Sequence, residues 1–341
     1  MKRRNFLNTL GAAGAGIGLG SCTTGIPDKN SQQSLLQSGS FSVDANKITY
    51  YLKGITEPVK IFQIADTHLW MDDARGEPYR QYSARMARAY NVTRHFRTGE
   101  PTNPEESFVE VLQLAVEKEA DLFAMTGDIF SFPSEAAVEW LLENMKGSGL
   151  PWLYVSGNHD WHYEGMEGSI HELRETWINN RLKGLYNGKD PMMAAYNIKD
   201  VSVLAIDNST YQIMPEQLEF FREHVQNTKP LVLMMHIPMY APGRSMGYGC
   251  GNPGWGADTD RNFELEGRER WPAEGHTKVT MDFHREVFTA PSLLGVFAGH
   301  THRQTVDLVK ESPQFVAAPN ATGAYLEIDI LPLGSNDREL L

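Results

Sequence analysis

The sequence carries only two cysteines in 341 residues, no excess of cations, and no long apolar run beyond its first twenty positions. Two cysteines cannot build a disulfide framework. With Cys22 committed to an N-terminal signal, Cys250 has no partner and no intrachain disulfide is expected. Structural zinc held by cysteine thiolates is excluded on the same count. Lys and Arg total 31 against 43 Asp and Glu, a formal charge of −12. A nucleic-acid-binding surface needs clustered cations to neutralise phosphates, so no such surface is expected. An acidic total does not exclude a phosphorylated substrate, because bound metal ions supply a local positive field. Past the signal no apolar run reaches the roughly 18 residues that span a bilayer. The 41% hydrophobic and 22% charged content is that of an ordinary globular protein, and the length suits one large domain or two small ones.

The first residues read as a targeting segment rather than as structure. Lys2-Arg3-Arg4-Asn5-Phe6-Leu7 precedes a Gly/Ala run from Leu10 to Gly20, and Leu19-Gly20-Ser21-Cys22 follows. The segment resembles a twin-arginine export signal ending in a bacterial lipobox, with Cys22 as the lipidated N-terminus. The expectation is an exported protein of the bacterial cell envelope, periplasmic or on the outer surface, held to the membrane by lipid. A secretory signal cleaved elsewhere, or a short uncleaved anchor, is the alternative. Residues 1–22 are then signal. Residues 23–45, rich in Ser, Gln, Thr and Gly, form a flexible tether, and 46–335 form the folded domain.

From residue 57 short apolar runs alternate with helical patterns, which indicates an α/β fold. Strands are expected at 59–65, 121–126, 152–156, 201–206, 231–235 and 295–298. A helix over 104–118 has Asn103 as cap and Pro104 at its first position; Phe108, Val111, Leu112 and Ala115 make its apolar stripe. A second is expected from 135 to 146, capped by Ser134 and stopped by Gly147, and a third opens at Pro215. Strands near 304–309, 315–318 and 324–330 lack intervening helices, so part of the sheet is expected to be antiparallel. Residues 239–279 are irregular and rich in Gly, Pro and aromatics, including Trp271, and are expected to be a substrate-side insertion.

Five apolar runs end in residues able to bind metal. They lead into Asp66-Thr67-His68, Gly127-Asp128, Gly157-Asn158-His159-Asp160, His236, and Gly299-His300-Thr301-His302. Carboxyl ends of strands open into the ligand crevice of an α/β sheet, so five such endings can converge. The glycines before Asp128, Asn158 and His300 are expected to allow sharp turns. Imidazole, carboxylate and amide oxygen suit Mn, Fe or Zn, and one carboxylate can bridge two ions. Two ions about 3.5–4 Å apart bind phosphoryl oxygens and generate hydroxide near neutral pH. A lone Asp-x-His or Gly-Asp says little; the five in this order are specific.

On these residues the sequence resembles the calcineurin-like metallophosphoesterases over about residues 57 to 330. Their signature is Asp-x-His, Gly-Asp-x-x-Asp, Gly-Asn-His-Glu/Asp, a lone His, and Gly-His-x-His. The resemblance implies a sandwich of two mixed β-sheets flanked by helices. It implies that one ion takes Asp66, His68 and His302, another takes Asn158, His236 and His300, and Asp128 bridges them. It places His159 beside the ions to stabilise the transition state or protonate the leaving oxygen, with hydroxide between the metals attacking in line. One position departs from the pattern. Ser131 stands where the family's second aspartate often orients the histidine, which puts an Asp–His dyad in question. Purple acid phosphatases share the signature but need a metal-binding tyrosine there, so that subclass is set aside.

The expected activity is phosphomonoester or phosphodiester hydrolysis of a small phosphorylated substrate, with no protein partner inferred. Hydrolysis of a pyrophosphate bond in nucleotides or nucleotide sugars is one alternative, and a non-catalytic lipoprotein that binds a phosphorylated ligand is another. Candidate substrate contacts are His162, just past Asp160, and the aromatics Tyr240, Tyr248 and Trp255, with loop packing as the competing role. His171, His224 and His284 sit in helical patterns and read as structural, while His95 and His276 fit no pattern. Any of Arg75, Arg80, Arg85, Arg88, Arg94 and Arg97 could clamp a phosphate, though such arginines usually face solvent.

Overall fold

The computed structural model describes residues 35–87, 89, 93–226, 229–260 and 274–334. The signal, Cys22, Arg88 and Trp271 lie outside the described residues. In chain order the strands begin β1 (Ser40–Asp44), β2 (Lys47–Leu52), β3 (Val59–Ile64), β4 (Thr93–Arg94), β5 (Pro101–Thr102), β6 (Leu122–Thr126) and β7 (Trp152–Val155). They continue as β8 (Met193–Ile198), β9 (Val201–Ile206), β10 (Leu231–Met234), β11 (Leu293–Ala298), β12 (Thr305–Val309), β13 (Ser312–Val316) and β14 (Leu326–Pro332). The helices are α1 (Arg80–Met86), α2 (Pro104–Glu117), α3 (Glu135–Ser148), α4 (Ile170–Asn180), α5 (Pro215–Val225) and α6 (Lys278–Val287).

Two six-stranded mixed sheets result, in the orders β1-β2-β14-β3-β6-β7 and β12-β13-β11-β10-β9-β8. The central strands β3, β6, β10 and β11 are nearly continuous apolar runs because both of their faces are covered. They pair in parallel, β3 with β6 and β10 with β9 and β11. The antiparallel pairs expected near the C-terminus are present, β12 with β13 and β14 with β3. Ile61, Leu122, Val203, Val232, Phe297 and Phe315 fill the space between the sheets. Each such side chain stabilises the fold by about 1.5–3 kcal/mol. On the outer faces Phe108 and Val111 of α2, Leu141 of α3 and Phe221 of α5 complete a second apolar layer.

Local chemistry sets the helix ends. Asn103 accepts the Glu106 N–H at 2.9 Å to open α2, and Pro104 follows it. Helix α3 starts at Ser134 as expected but does not stop at Gly147. It ends at Gly149, which takes the left-handed conformation at φ 70°, whereas Gly147 continues the helix. The tether also ends earlier than residue 45, because Ser40–Asp44 pairs along its whole length with β2. On β14, Glu327 and Asp329 are buried and receive Lys47 and Lys60, with Lys118 also on Glu327. Burial would raise the Glu327 carboxyl, but Lys118 and Lys60 outweigh it and hold it below the usual range.

Candidate metal centre

Strands β3, β6, β7, β10 and β11 end on one side of the sandwich, and the loops that follow are bonded to each other. The Asp66 N–H donates to the Gly127 carbonyl at 3.0 Å and the His68 N–H to the Asp128 carbonyl at 3.0 Å. The Gly299 N–H donates to the His236 carbonyl at 2.9 Å, which joins the ends of β10 and β11. The His300 N–H meets both Asp66 carboxylate oxygens, at 3.1 and 2.8 Å, and so ties the two sheets together at the site.

Two sets of donors emerge. Asp66, His68 and His302 each offer one atom, all within 4.8 Å of one another; Asp128, His236 and His300 form a second such set. His302 Nε2 lies 3.4 Å from Asp66 Oδ1 and 3.1 Å from His68 Nε2. His236 Nε2 lies 3.2 Å from Asp128 Oδ2 and 3.2 Å from Asn158 Oδ1, so Asn158 joins the second set. Every donor is nitrogen or oxygen, a combination that fits Mn, Fe or Zn, and the paired carboxylates call for positive charge.

Electrostatics in the crevice set buried carboxylates against buried imidazoles. Burial would raise the Asp128 carboxyl, but His236, His159 and His68 together hold it well below the usual carboxylate range. Burial holds His68 well below the usual imidazole range against the pull of Asp128, leaving a neutral ring suited to a cation. Burial pulls His236 down too, yet Asp128 dominates and raises it to about 10. The Thr126 carbonyl, 2.9 Å from His236 Nδ1, fixes that ring.

The glycines play two different parts. Gly127 adopts φ 85°, the turn expected before Asp128. Gly157 and Gly299 have no left-handed φ and are there because of close approach. A Cβ on Gly157 would stand 2.1 Å from Asp128 Oδ1, and one on Gly299 would stand 2.2 Å from the Ala65 Cβ.

His159 stands half-buried beside the donors, its backbone N–H on Asp128 Oδ1 at 2.8 Å and its ring 5.2 Å from that of His68. Ser131 does not reach toward it as a dyad partner would; its hydroxyl donates to the His68 carbonyl at 3.1 Å. Buried Asp160 accepts the N–H groups of Phe130 and Gly157, at 2.8 and 2.7 Å, and thereby shapes the loop carrying His159. A cavity of about 230 Å³, lined by His68, Arg85, Met86, Ala89, Ser131, His159 and Glu164, opens against these rings.

The expected substrate contacts divide. His162 is buried with its ring 6.3 Å from that of His159. Tyr240 uses its carbonyl to accept from His284 Nε2 at 2.7 Å. Tyr248 bonds through its hydroxyl to Thr305 and Asp307 of β12, at 2.9 and 2.7 Å, and stands outside that cavity's lining. Trp255 stacks on Tyr211, 5.1 Å away at 8°. Among the arginines, Arg75 pairs with Asp73, Glu135 and Glu139, Arg80 with Glu77, and Arg97 with the Tyr325 hydroxyl. Arg94 binds the Gly99 carbonyl at 2.9 Å, and Arg85 pairs with Glu164 at the cavity wall.

Sequence reasoning missed Tyr211, whose hydroxyl bonds His300 Nε2. The available signal was the polar stretch Asp207-Asn208-Ser209 that ends β9, a sixth strand end beside the five that carry donors.

A family model described as calcineurin-like phosphoesterase matches residues 59–304. Over 59 residues the chain is 34% identical to a probable cyclic nucleotide phosphodiesterase of Moraxella catarrhalis (strain BBH18). That match covers 17% of this chain and 21% of the relative, so it spans about a fifth of the relative's length. A dimetal phosphatase from Danio rerio superposes over 80% of this chain and 92% of its own, with TM-score 0.50 and 11% identity. A purple acid phosphatase from yellow lupin (Lupinus luteus) seeds aligns over 81% and 47%, with TM-score 0.45 and 11% identity. At such identity the Danio rerio structure shows a shared fold. The match across residues 59–304, which contain all seven donors, shows that this chain belongs to the calcineurin-like phosphoesterase family and is a hydrolase.

Proposed function

We propose that the protein hydrolyses phosphomonoesters or phosphodiesters at a pair of divalent ions held by Asp66, His68, Asp128, Asn158, His236, His300 and His302. The observation that carries this reading is the pair of three-donor sets placed side by side with His159 against them. Two ions bound there would neutralise phosphoryl oxygens and lower the pKa of a water nucleophile. Asp128, paired with His236 of the second set and bonded to the His159 backbone, would be the carboxylate that bridges the two ions. The His159 imidazole borders the 230 Å³ cavity and is positioned to hold a proton for the leaving oxygen. The cavity itself receives the leaving group, with Ser131 and Met86 as walls and the Arg85–Glu164 pair as its charged side.

The test is hydrolysis of p-nitrophenyl phosphate and its bis-ester, with added Mn²⁺ or Zn²⁺ and an Asp128→Ala control. A cyclic nucleotide belongs in the panel because the Moraxella catarrhalis relative is named a probable phosphodiesterase of that class. Metal-dependent turnover that disappears in the variant supports the reading, and the faster ester identifies mono- or diesterase action. Absence of both turnover and bound metal would sink it. Export and lipid attachment at Cys22 belong to the same proposal, supported by Arg3-Arg4 and the Leu19–Cys22 tetrapeptide. A Cys22→Ser variant that still fractionates with membranes would remove the lipid anchor from it.

A further inference from the structure

Among the described residues, eleven non-glycine positions have positive φ. Five of them, Ala45, Glu119, Asn187, Lys199 and Lys310, are exposed turn residues. Another five, Asp66, His68, Asp128, His300 and His302, are candidate metal donors. The eleventh is Tyr211, fully buried at φ 60°. A bulky residue in the left-handed region is an outlier, and such outliers persist where the surroundings over-determine them. Tyr211 shares the backbone signature of the donors without being one of them.

Its surroundings explain how the conformation is held. The Tyr211 N–H donates to the Asn208 carbonyl at 2.8 Å, and its own carbonyl accepts from His276 Nδ1 at 2.9 Å and from the Cys250 thiol at 3.5 Å. The phenol ring stacks on Trp255, which stacks on His276 with centroids 4.5 Å apart at 18°. Asp260 receives the Trp255 indole N–H at 3.0 Å, locking the far side of the stack. From this base the hydroxyl reaches His300 Nε2, and the two rings meet edge to face at 5.4 Å and 76°.

We infer that Tyr211 is the positioning residue of the second ion, its hydroxyl accepting the Nε2–H of His300 so that Nδ1 is the nitrogen offered to the metal. The inference rests on the proposed two-ion site. Metal-bound histidines use their other ring nitrogen to fix tautomer and ring orientation, and loss of that partner typically weakens metal binding 10- to 100-fold. The irregular segment that contributes Trp255 and His276 thereby acts on the metal through Tyr211, as the back wall of a donor.

Titration of the metal-free protein with Co²⁺, followed by its visible absorption, separates the possible results. Fewer than two ions per wild-type chain would overturn the two-ion site and the inference with it. With two ions in the wild type, Tyr211→Phe is expected to weaken the second by about 10- to 100-fold, shift its absorption band and leave the first unchanged. Wild-type affinity and spectrum for both ions in Tyr211→Phe would overturn the inference alone. Long-range ¹H–¹⁵N NMR of the wild-type Zn²⁺ protein needs no variant: ligation of His300 through Nδ1 with a protonated Nε2 is expected, and ligation through Nε2 would overturn it.

Discussion

At the strand ends, Asp66, His68, Asp128, His236, His300 and His302 aim polar atoms at one another within a few ångströms, and four of them are almost wholly buried. In the connection between β10 and α6, the side chains of Tyr248, Trp255 and His276 are just as capable of chemistry, yet each is engaged by backbone, a carboxylate or another ring. Crowded imidazoles and carboxylates in short, mutually bonded loops satisfy one another poorly and are best completed by cations. Aromatics in a long loop have the freedom to find partners, and they become a small core. Burial beside the site is therefore weak evidence for contact with substrate, whereas convergence of like donors is strong evidence for an ion.

The contrast can be broken at its strongest point first. Asp128→Ala is expected to lower turnover more than about 100-fold and to reduce bound metal, as measured by steady-state kinetics and metal analysis. His159→Gln is expected to lower kcat by about 100-fold or more while metal content stays at the wild-type level. A parallel loss of metal would move His159 into the donor set.

The pH dependence of stability probes the other region. Burial depresses His276 to about 4, against the hydrogen bond it donates to the Tyr211 carbonyl. Its unfolded value is near 6.5, so the neutral ring stabilises the fold fully above that pH. This contribution, about 3 kcal/mol in all, is lost as pH falls from 6.5 to 4. Denaturant unfolding across that window should show the slope, and His276→Gln should flatten it. The smallest effect is expected for Tyr248→Phe. It should cost about 1 kcal/mol through the lost bond to Asp307 and leave KM within about twofold. A large rise in KM would return Tyr248 to the substrate pocket.

Strand β3 with its Asp66-Thr67-His68 ending was legible because an apolar run, strand length and ligand type coincide within ten residues. Helix α2 was legible from its cap and stripe for the same local reason. Strands β1 and β8 were not: they are edge strands, β1 exposed along its whole length and β8 built of mixed small, polar and apolar residues, and their pairing is set by the neighbour. The stop of α3 slipped by two residues because two glycines compete there and φ decides between them.

The sequence by itself determined the α/β alternation, the five strand endings and the donor types, all of which depend on spacing along the chain. Tertiary structure alone decided that these endings meet within 4.8 Å in two sets. It also decided that Gly157 and Gly299 answer to close approach, and that Tyr211 stands behind His300. Contacts between residues 89 positions apart, such as Tyr211 and His300, depend on how two sheets and a long loop pack, and local patterns do not encode that.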